Sequence, residues 1–191
     1  PSRLINKILK KKILDKIIFP TLKGLHELNS KYIGFLYAGL MIVKDEPYLI
    51  EYNVRMGDPE CQTILPKLKT DLIDVMIACV QGKLNDIELE WYNKKSLCIV
   101  LCSNGYPEKY KNSVLIEHVD KINLGNNDYC FHSGTKFKNN KFYSNGGRVL
   151  SFVSLSDNFK DSRLKLINII NKLNWKNGFF RKDIGYKVID K

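Results

Sequence analysis

The sequence is poor in arginine: of 31 basic residues among 191, only those at positions 3, 55, 148, 163 and 181 are arginine, and the rest are lysine. A net charge of +11 ordinarily points to nucleic acid or an anionic surface. Here the lysines come with many Ile and Asn and are scattered, apart from Lys10-Lys11-Lys12, which fits a biased codon pool. Neither nucleic acid nor membrane is expected as a partner, although the charge still steers a nucleotide or phosphorylated substrate inward. Paired cysteines are also missing. The thiols at 61, 79, 98, 102 and 130 form no Cys-x-x-Cys and have no His at zinc spacing. That excludes a zinc knot and a disulfide framework, and reduced thiols suit a cytoplasmic protein. No apolar run approaches the about 18 residues that cross a bilayer, and the first residues lack the apolar stretch of a signal peptide. Internal repeats and low-complexity tracts are absent. The sequence begins with Pro1 rather than Met, which reads as a fragment or a processed boundary.

What is present is enough for a core: 44% of residues are hydrophobic and 11% aromatic. The pattern is organised around Tyr48-Leu-Ile-Glu-Tyr-Asn-Val-Arg-Met-Gly-Asp-Pro-Glu60, an apolar run that turns into acids, an amide and one arginine. Residues 48–54 read as a strand. Alternate side chains share a face, so Leu49, Glu51, Asn53 and Arg55 are expected on one side, with Ile50, Tyr52 and Val54 on the core side. A carboxylate, an amide oxygen and a guanidinium in one row suit a hard cation with an anion beside it. A merely solvated strand face is the plain alternative, but such faces usually carry Lys, Thr and Ser. Gly57-Asp58-Pro59 then turns the chain.

Upstream, apolar residues at 4, 5, 8, 9, 13, 14, 17 and 18 predict an amphipathic helix that Pro20 breaks or restarts, with a short continuation to Leu28. Gly34 to Val43 and the Tyr48 strand form a hairpin around Lys44-Asp45-Glu46-Pro47. Thr70-Asp71 caps a helix over 72–81 that stops at Gly82. The polar stretch 84–95 reads as a linker between residues 1–83 and 96–191. Beyond it, strands are expected at 96–102, 114–119, 129–132, 142–143 and 148–153, with a tight hairpin turn at Asn145-Gly146-Gly147. Asp157 caps a helix to about Leu173 with Phe159, Leu164, Ile167, Ile170 and Leu173 on its apolar side. A loop at 178–185, locked by its aromatics, closes the chain.

Several segments together carry a resemblance: Phe19-Pro-Thr-Leu-Lys-Gly24, Phe35-Leu-Tyr-Ala-Gly-Leu-Met41, Ile50-Glu-Tyr-Asn-Val-Arg-Met-Gly-Asp-Pro-Glu60, Ser103-Asn-Gly-Tyr-Pro107, Phe131-His-Ser-Gly-Thr135, Gly146-Gly-Arg148 and Phe180-Arg-Lys-Asp-Ile-Gly185. In this order they resemble the carboxy-terminal part of phosphoribosylamine-glycine ligase, the glycinamide ribonucleotide synthetase family of the ATP-grasp superfamily. Cys61 departs from it, standing where Thr is expected in relatives, and is read as a bystander thiol. The resemblance implies an α+β chain: the second half of an ATP-grasp domain (1–83), the linker, and a small mixed β-sheet and helix domain (96–191).

The activity so implied is ATP-dependent ligation of glycine to 5-phosphoribosylamine through a glycyl phosphate, in purine biosynthesis. By resemblance, Glu51 and Asn53 hold the Mg2+ (or Mn2+) ions that bridge the ATP phosphates. Arg55 is the catalytic guanidinium facing the acceptor anion and the acyl phosphate, and Gly57 and Asp58 shape the acceptor pocket. Asp58 either orients an amine or caps its turn. Most of the ATP site, including the phosphate-covering loop and the adenine-binding lysine and glutamate, has no counterpart in the sequence. It is expected on an amino-terminal half supplied in cis or in trans, and the isolated chain is expected to be inactive. His132, Gly146, Gly147, Arg148, Arg181 and Asp183 are read as structural, with a phosphate contact at Gly146-Gly147-Arg148 left open. The alternatives are another ATP-grasp carboxylate ligase, and a non-catalytic remnant or basic binding module.

Overall fold

The computed structural model describes residues 5–189. In chain order the elements are α1 (Lys7–Ile13), a π-helical turn (Leu14–Ile18), α2 (Phe19–Glu27), β1 (Tyr37–Val43), β2 (Glu46–Asn53), α3 (Glu60–Ile64) and α4 (Leu72–Gln81). Then follow β3 (Lys95–Ser103), β4 (Leu115–Ile116), β5 (Asp128–His132), β6 (Thr135–Lys138), β7 (Lys141–Ser144), β8 (Arg148–Ser156), α5 (Phe159–Ile170), β9 (Gly178–Phe179) and α6 (Tyr186–Ile189). The chain divides into two compact units, residues 1–58 with 70–89 and residues 59–69 with 90–191.

In the first unit, helix runs through Pro20 rather than breaking at it. Proline lacks the N–H that an α-helix would pair four residues back. The π-turn absorbs this: the Phe19 N–H reaches the carbonyl of Leu14, and Thr21 Oγ1 donates to the carbonyl of Ile17 at 2.8 Å. Of the expected apolar stripe, Leu9 and Ile17 are buried and Ile8 is exposed, while Leu4 lies outside the described residues. β1 and β2 pair antiparallel around a two-residue loop, Lys44-Asp45, with φ of 49° and 61°. Two positive φ values are those of a type I′ turn, whose twist matches the strands it joins. Glu46, just after the turn, accepts from Lys12 and from Lys16, the latter at 2.7 Å, tying hairpin to helix. In α4, Asp71 Oδ1 accepts from the Ile73 N–H at 2.8 Å, and Gly82 ends the helix at φ +71°.

The second unit is built on an antiparallel sheet of order β5-β8-β3-β9. Alternation on β3 turns Leu97, Ile99 and Leu101 to one side, where with Leu150 and Phe152 they bury against Leu166, Ile169 and Ile170 of α5 and against Trp175. The residues between them, Cys98, Val100 and Cys102, face the other side, and α3 lies against β3 and β8. A second sheet, of order β4-β7-β6, completes the unit.

Two sequence expectations are corrected here. The α5 cap is Asn158, whose Oδ1 accepts from the Asp161 N–H at 2.9 Å, and Leu164, expected on the apolar side, is 49% exposed. The buried stripe is Ser162, Leu166, Ile169 and Ile170. Residues 145–147 are not a hairpin turn either, because β7 and β8 belong to different sheets. The segment is a crossing between sheets. Its glycines allow close approach: a Cβ on Gly147 would lie 2.1 Å from the Tyr106 ring, and one on Gly134 would lie 2.9 Å from Gly146 Cα.

Candidate functional site

The polar row lies on β2, and the register alters how it is read. Gly39 pairs with Glu51 but Leu40 pairs with Leu49, leaving Ile50 as an extra residue in a β-bulge. Paired residues share a face while neighbours along a strand alternate. Leu49 therefore faces away from Glu51, with Leu40 and Tyr52, whereas the pair Met41 and Tyr48 joins the Glu51 side. The even alternation expected from sequence held only up to the bulge. Ile50 and Val54, expected in the core, are 65% and 74% exposed, and Tyr52 alone of that set is tucked in, its hydroxyl 2.6 Å from Thr21 Oγ1.

Glu51 and Asn53 are together as expected, with Asn53 Nδ2 donating to Glu51 Oε1 at 2.9 Å. Opposite them stands Gly39, where a Cβ would come 3.0 Å from Glu51 Cγ. The strand ends at Asn53, so Arg55 is on a bend rather than in the strand row. It is exposed, and its Nη1 donates to the carbonyl of Met56 at 3.0 Å. Gly57 is buried, and Asp58 is exposed at the turn that follows. Met41 and Tyr48, 53% and 56% exposed, put apolar surface on the same strand face. Sequence reasoning missed them because the bulge, at Ile50, leaves no signature in the residues of β2.

A hard divalent cation fits these donors. The Glu51 carboxylate and the Asn53 amide oxygen are hard ligands on adjacent side chains, and Asn53 needs only rotate its amide to offer that oxygen. Among the described residues no group of three His, Cys, Asp or Glu could hold a metal by itself. An ion here would complete its shell from phosphate oxygens and water, as Mg2+ commonly does.

In the second unit, four of the resembling segments meet at one cavity of about 440 Å3, the end of the Ile50–Glu60 segment reaching it through Pro59. Cys98, Val100 and Cys102 line one side, and Tyr106, Arg148 and Phe180 are among the residues around it. Arg181, also at this cavity, forks onto Asp183 at 3.2 and 2.7 Å, which fits the structural reading of both. His132 Nδ1 lies 2.9 Å from Thr135 Oγ1 with its ring 5.0 Å from that of Phe142, and partial burial lowers its affinity for a proton. These contacts are structural. None of the five cysteines is in a disulfide, and burial pushes the thiol of Cys130 up to about 11, far from a reactive thiolate.

Residues 1–61 match the family model described as phosphoribosylglycinamide synthetase, ATP-grasp (A) domain, so the class of the hairpin unit is ATP-grasp. Residues 96–187 match the model of the C domain of the same synthetase. The chain belongs to the phosphoribosylglycinamide synthetase family, and it corresponds to the carboxy-terminal part of such proteins. It is 36% identical over 186 residues to a phosphoribosylamine–glycine ligase of Fusobacterium nucleatum, covering 97% of this chain and 44% of that protein. A ligase of the same name from Caldanaerobacter subterraneus is 39% identical over 184 residues, covering 96% of this chain and 43% of the relative. The crystal structure of a phosphoribosylamine–glycine ligase from Thermotoga maritima superposes with a TM-score of 0.81 at 29% identity, over 95% of this chain and 44% of that one. The chain thus spans less than half the length of the relatives it matches. No helix among the described residues is long and apolar enough to cross a membrane.

Proposed function

We propose that this chain supplies the metal-binding edge and the carboxy-terminal domain of a phosphoribosylamine–glycine ligase, joining glycine to 5-phosphoribosylamine at the expense of ATP. The observation that carries the reading is the Glu51–Asn53 pair on one face of a hairpin that falls within the ATP-grasp match. Residues 1–83 act as the second half of the ATP-grasp domain and 96–191 as the carboxy-terminal domain, with 84–95 between them; the matched segments 1–61 and 96–187 support that division.

Glu51 and Asn53 hold Mg2+ or Mn2+ through their oxygens. The ion, when bound, neutralises charge on the ATP phosphates as the phosphoryl group moves to the glycine carboxylate. Arg55 supplies a planar fork that holds the acceptor carboxylate and then the acyl phosphate, and its exposed place on the bend leaves the side chain able to swing towards an anion. The turn at Gly57 and Asp58 shapes the acceptor side. The remainder of the ATP site comes from residues that the relatives carry outside the matched part, in the same polypeptide or on a second one. Cysteines outside any disulfide suit a reducing compartment such as the cytoplasm.

The test is reconstitution. Supplying the ATP-grasp first half and the amino-terminal domain of a relative should give ADP formation that requires both glycine and phosphoribosylamine, and Glu51→Ala should abolish it. Restored activity that ignores this substitution removes Glu51 from the metal site. Turnover with another carboxylate but not with glycine favours a different ATP-grasp ligase.

A further inference from the structure

We infer that Gly39 is a positioning residue for Glu51, an assignment that rests on the metal reading above. Glycine is not required at 39 by the backbone, since its φ lies outside the left-handed region that Gly34, Gly82, Gly105 and Gly185 occupy. It is not a bend either, since Gly39 pairs in the middle of β1. Space is what its missing side chain provides. The Glu51 side chain leans over position 39, so that a Cβ built there would be 3.0 Å from Glu51 Cγ, 3.6 Å from the Glu51 carbonyl oxygen and 3.8 Å from its nitrogen. Only the first of these is tighter than ordinary van der Waals contact. A methyl group would therefore meet the strand backbone at ordinary contact distance, while the Glu51 side chain would have to give way by a few tenths of an ångström.

The bulge makes this arrangement useful. With Ile50 as the extra residue, Leu49 turns to the far face, and the strand position before Glu51 on its own face is taken by Tyr48. Glu51 has Asn53 on one side and no side chain at its cross-strand position, and its Oε1 accepts from the Asn53 amide at 2.9 Å. In a regular antiparallel pair a side chain at 39 would stand against Glu51 at about 5 Å between Cβ atoms and compete for that place. Glycine costs a strand stability through backbone entropy and lost packing. A glycine in mid-strand that the backbone does not need, set against the carboxylate of the proposed metal pair, is accounted for by the room it gives that carboxylate.

The experiment is a double-substitution cycle on the full chain, with Gly39→Ala, Glu51→Ala and both together. Manganese alone is the probe, its free concentration read by electron paramagnetic resonance, and thermal unfolding is followed in parallel. Gly39→Ala should weaken Mn2+ binding ~10-fold, the size expected for directly coupled neighbours. In the Glu51→Ala chain, which has no Cγ to displace, the same change should leave Mn2+ binding and the unfolding midpoint where Glu51→Ala alone put them, or raise the midpoint. Two results overturn the inference while leaving the metal reading in place: unchanged Mn2+ affinity in Gly39→Ala, or an equal loss of midpoint with and without Glu51. If the unaltered chain binds Mn2+ no more tightly than Glu51→Ala, the metal reading falls, and the positioning role falls with it.

Discussion

Asn53 turns the nitrogen of its amide, not the oxygen, towards Glu51, and the two side chains close on each other at 2.9 Å. A cation between them would replace that hydrogen bond with two oxygen contacts. Asn53→Asp should therefore set two carboxylates side by side, where like charge raises the proton affinity of one of them. The variant should unfold at lower temperature than the parent at neutral pH without divalent ions, and regain the difference in millimolar Mg2+. A midpoint that ignores Mg2+ in both chains would count against cation binding at the pair.

Glu46 predicts an acid limb. Hydrogen bonds from Lys12, then from Lys16, hold its carboxyl at about 2, against an ordinary value of 4.5. The folded value is the lower one, so its stabilising contribution is complete above pH 4.5 and is lost as pH falls towards 2. The group is partly exposed, and at neutral pH the effect of Glu46→Gln should be small and weaker still in high salt. Thermal unfolding from pH 7 down to 3 should show the parent losing more than Glu46→Gln. Equal losses would mean that the two lysine contacts contribute nothing measurable.

The glycines separate into opposite classes. In Gly147→Ala the new methyl would meet the Tyr106 ring at 2.1 Å, and overpacking of this kind costs about 1–3 kcal/mol. Gly24, inside α2, has nothing within 4 Å of its would-be Cβ, and Gly24→Ala should stabilise by about 0.5–1 kcal/mol through helix propensity. Denaturant unfolding of the two variants checks both signs.

α5 offers a test of its own face. Leu166 is fully buried, and Leu166→Ala should cost about 2–5 kcal/mol, while Leu164, half exposed, should tolerate Ala within about 0.5 kcal/mol. The reverse ranking by denaturant unfolding would contradict the packing described.

These cases also mark what the sequence revealed. The caps of α4 were legible because Asp71 and Gly82 act on their own backbone neighbours. β3 and the β1–β2 hairpin were legible because runs of apolar residues and a short polar turn are local signals. Glu51 and Asn53 were placed together correctly because two positions along a strand is a short extrapolation. Leu49 was put on the wrong face, because a bulge is decided by the partner strand and leaves no mark in β2 itself. On α5 Phe159, Ile167, Ile170 and Leu173 pack on the core as expected, but Leu164 was put there in place of Leu166, because the two are chemically alike and only the sheet selects which it covers. The turn at 145–147 looked like a hairpin because glycines that relieve a close approach from Tyr106 read the same as glycines that make a bend.

The interleaving of the two units bears on how the chain is made. Helix α3 leaves the ribosome long before either strand it packs on, since β3 begins at Lys95 and β8 ends at Ser156. Residues 70–89 emerge next and belong with residues 1–58, so the first unit can close while the 59–69 segment still waits for its own sheet. Synthesis thus finishes the two units one after the other although their segments interleave, and a pause before Ser156 would leave α3 without its full sheet.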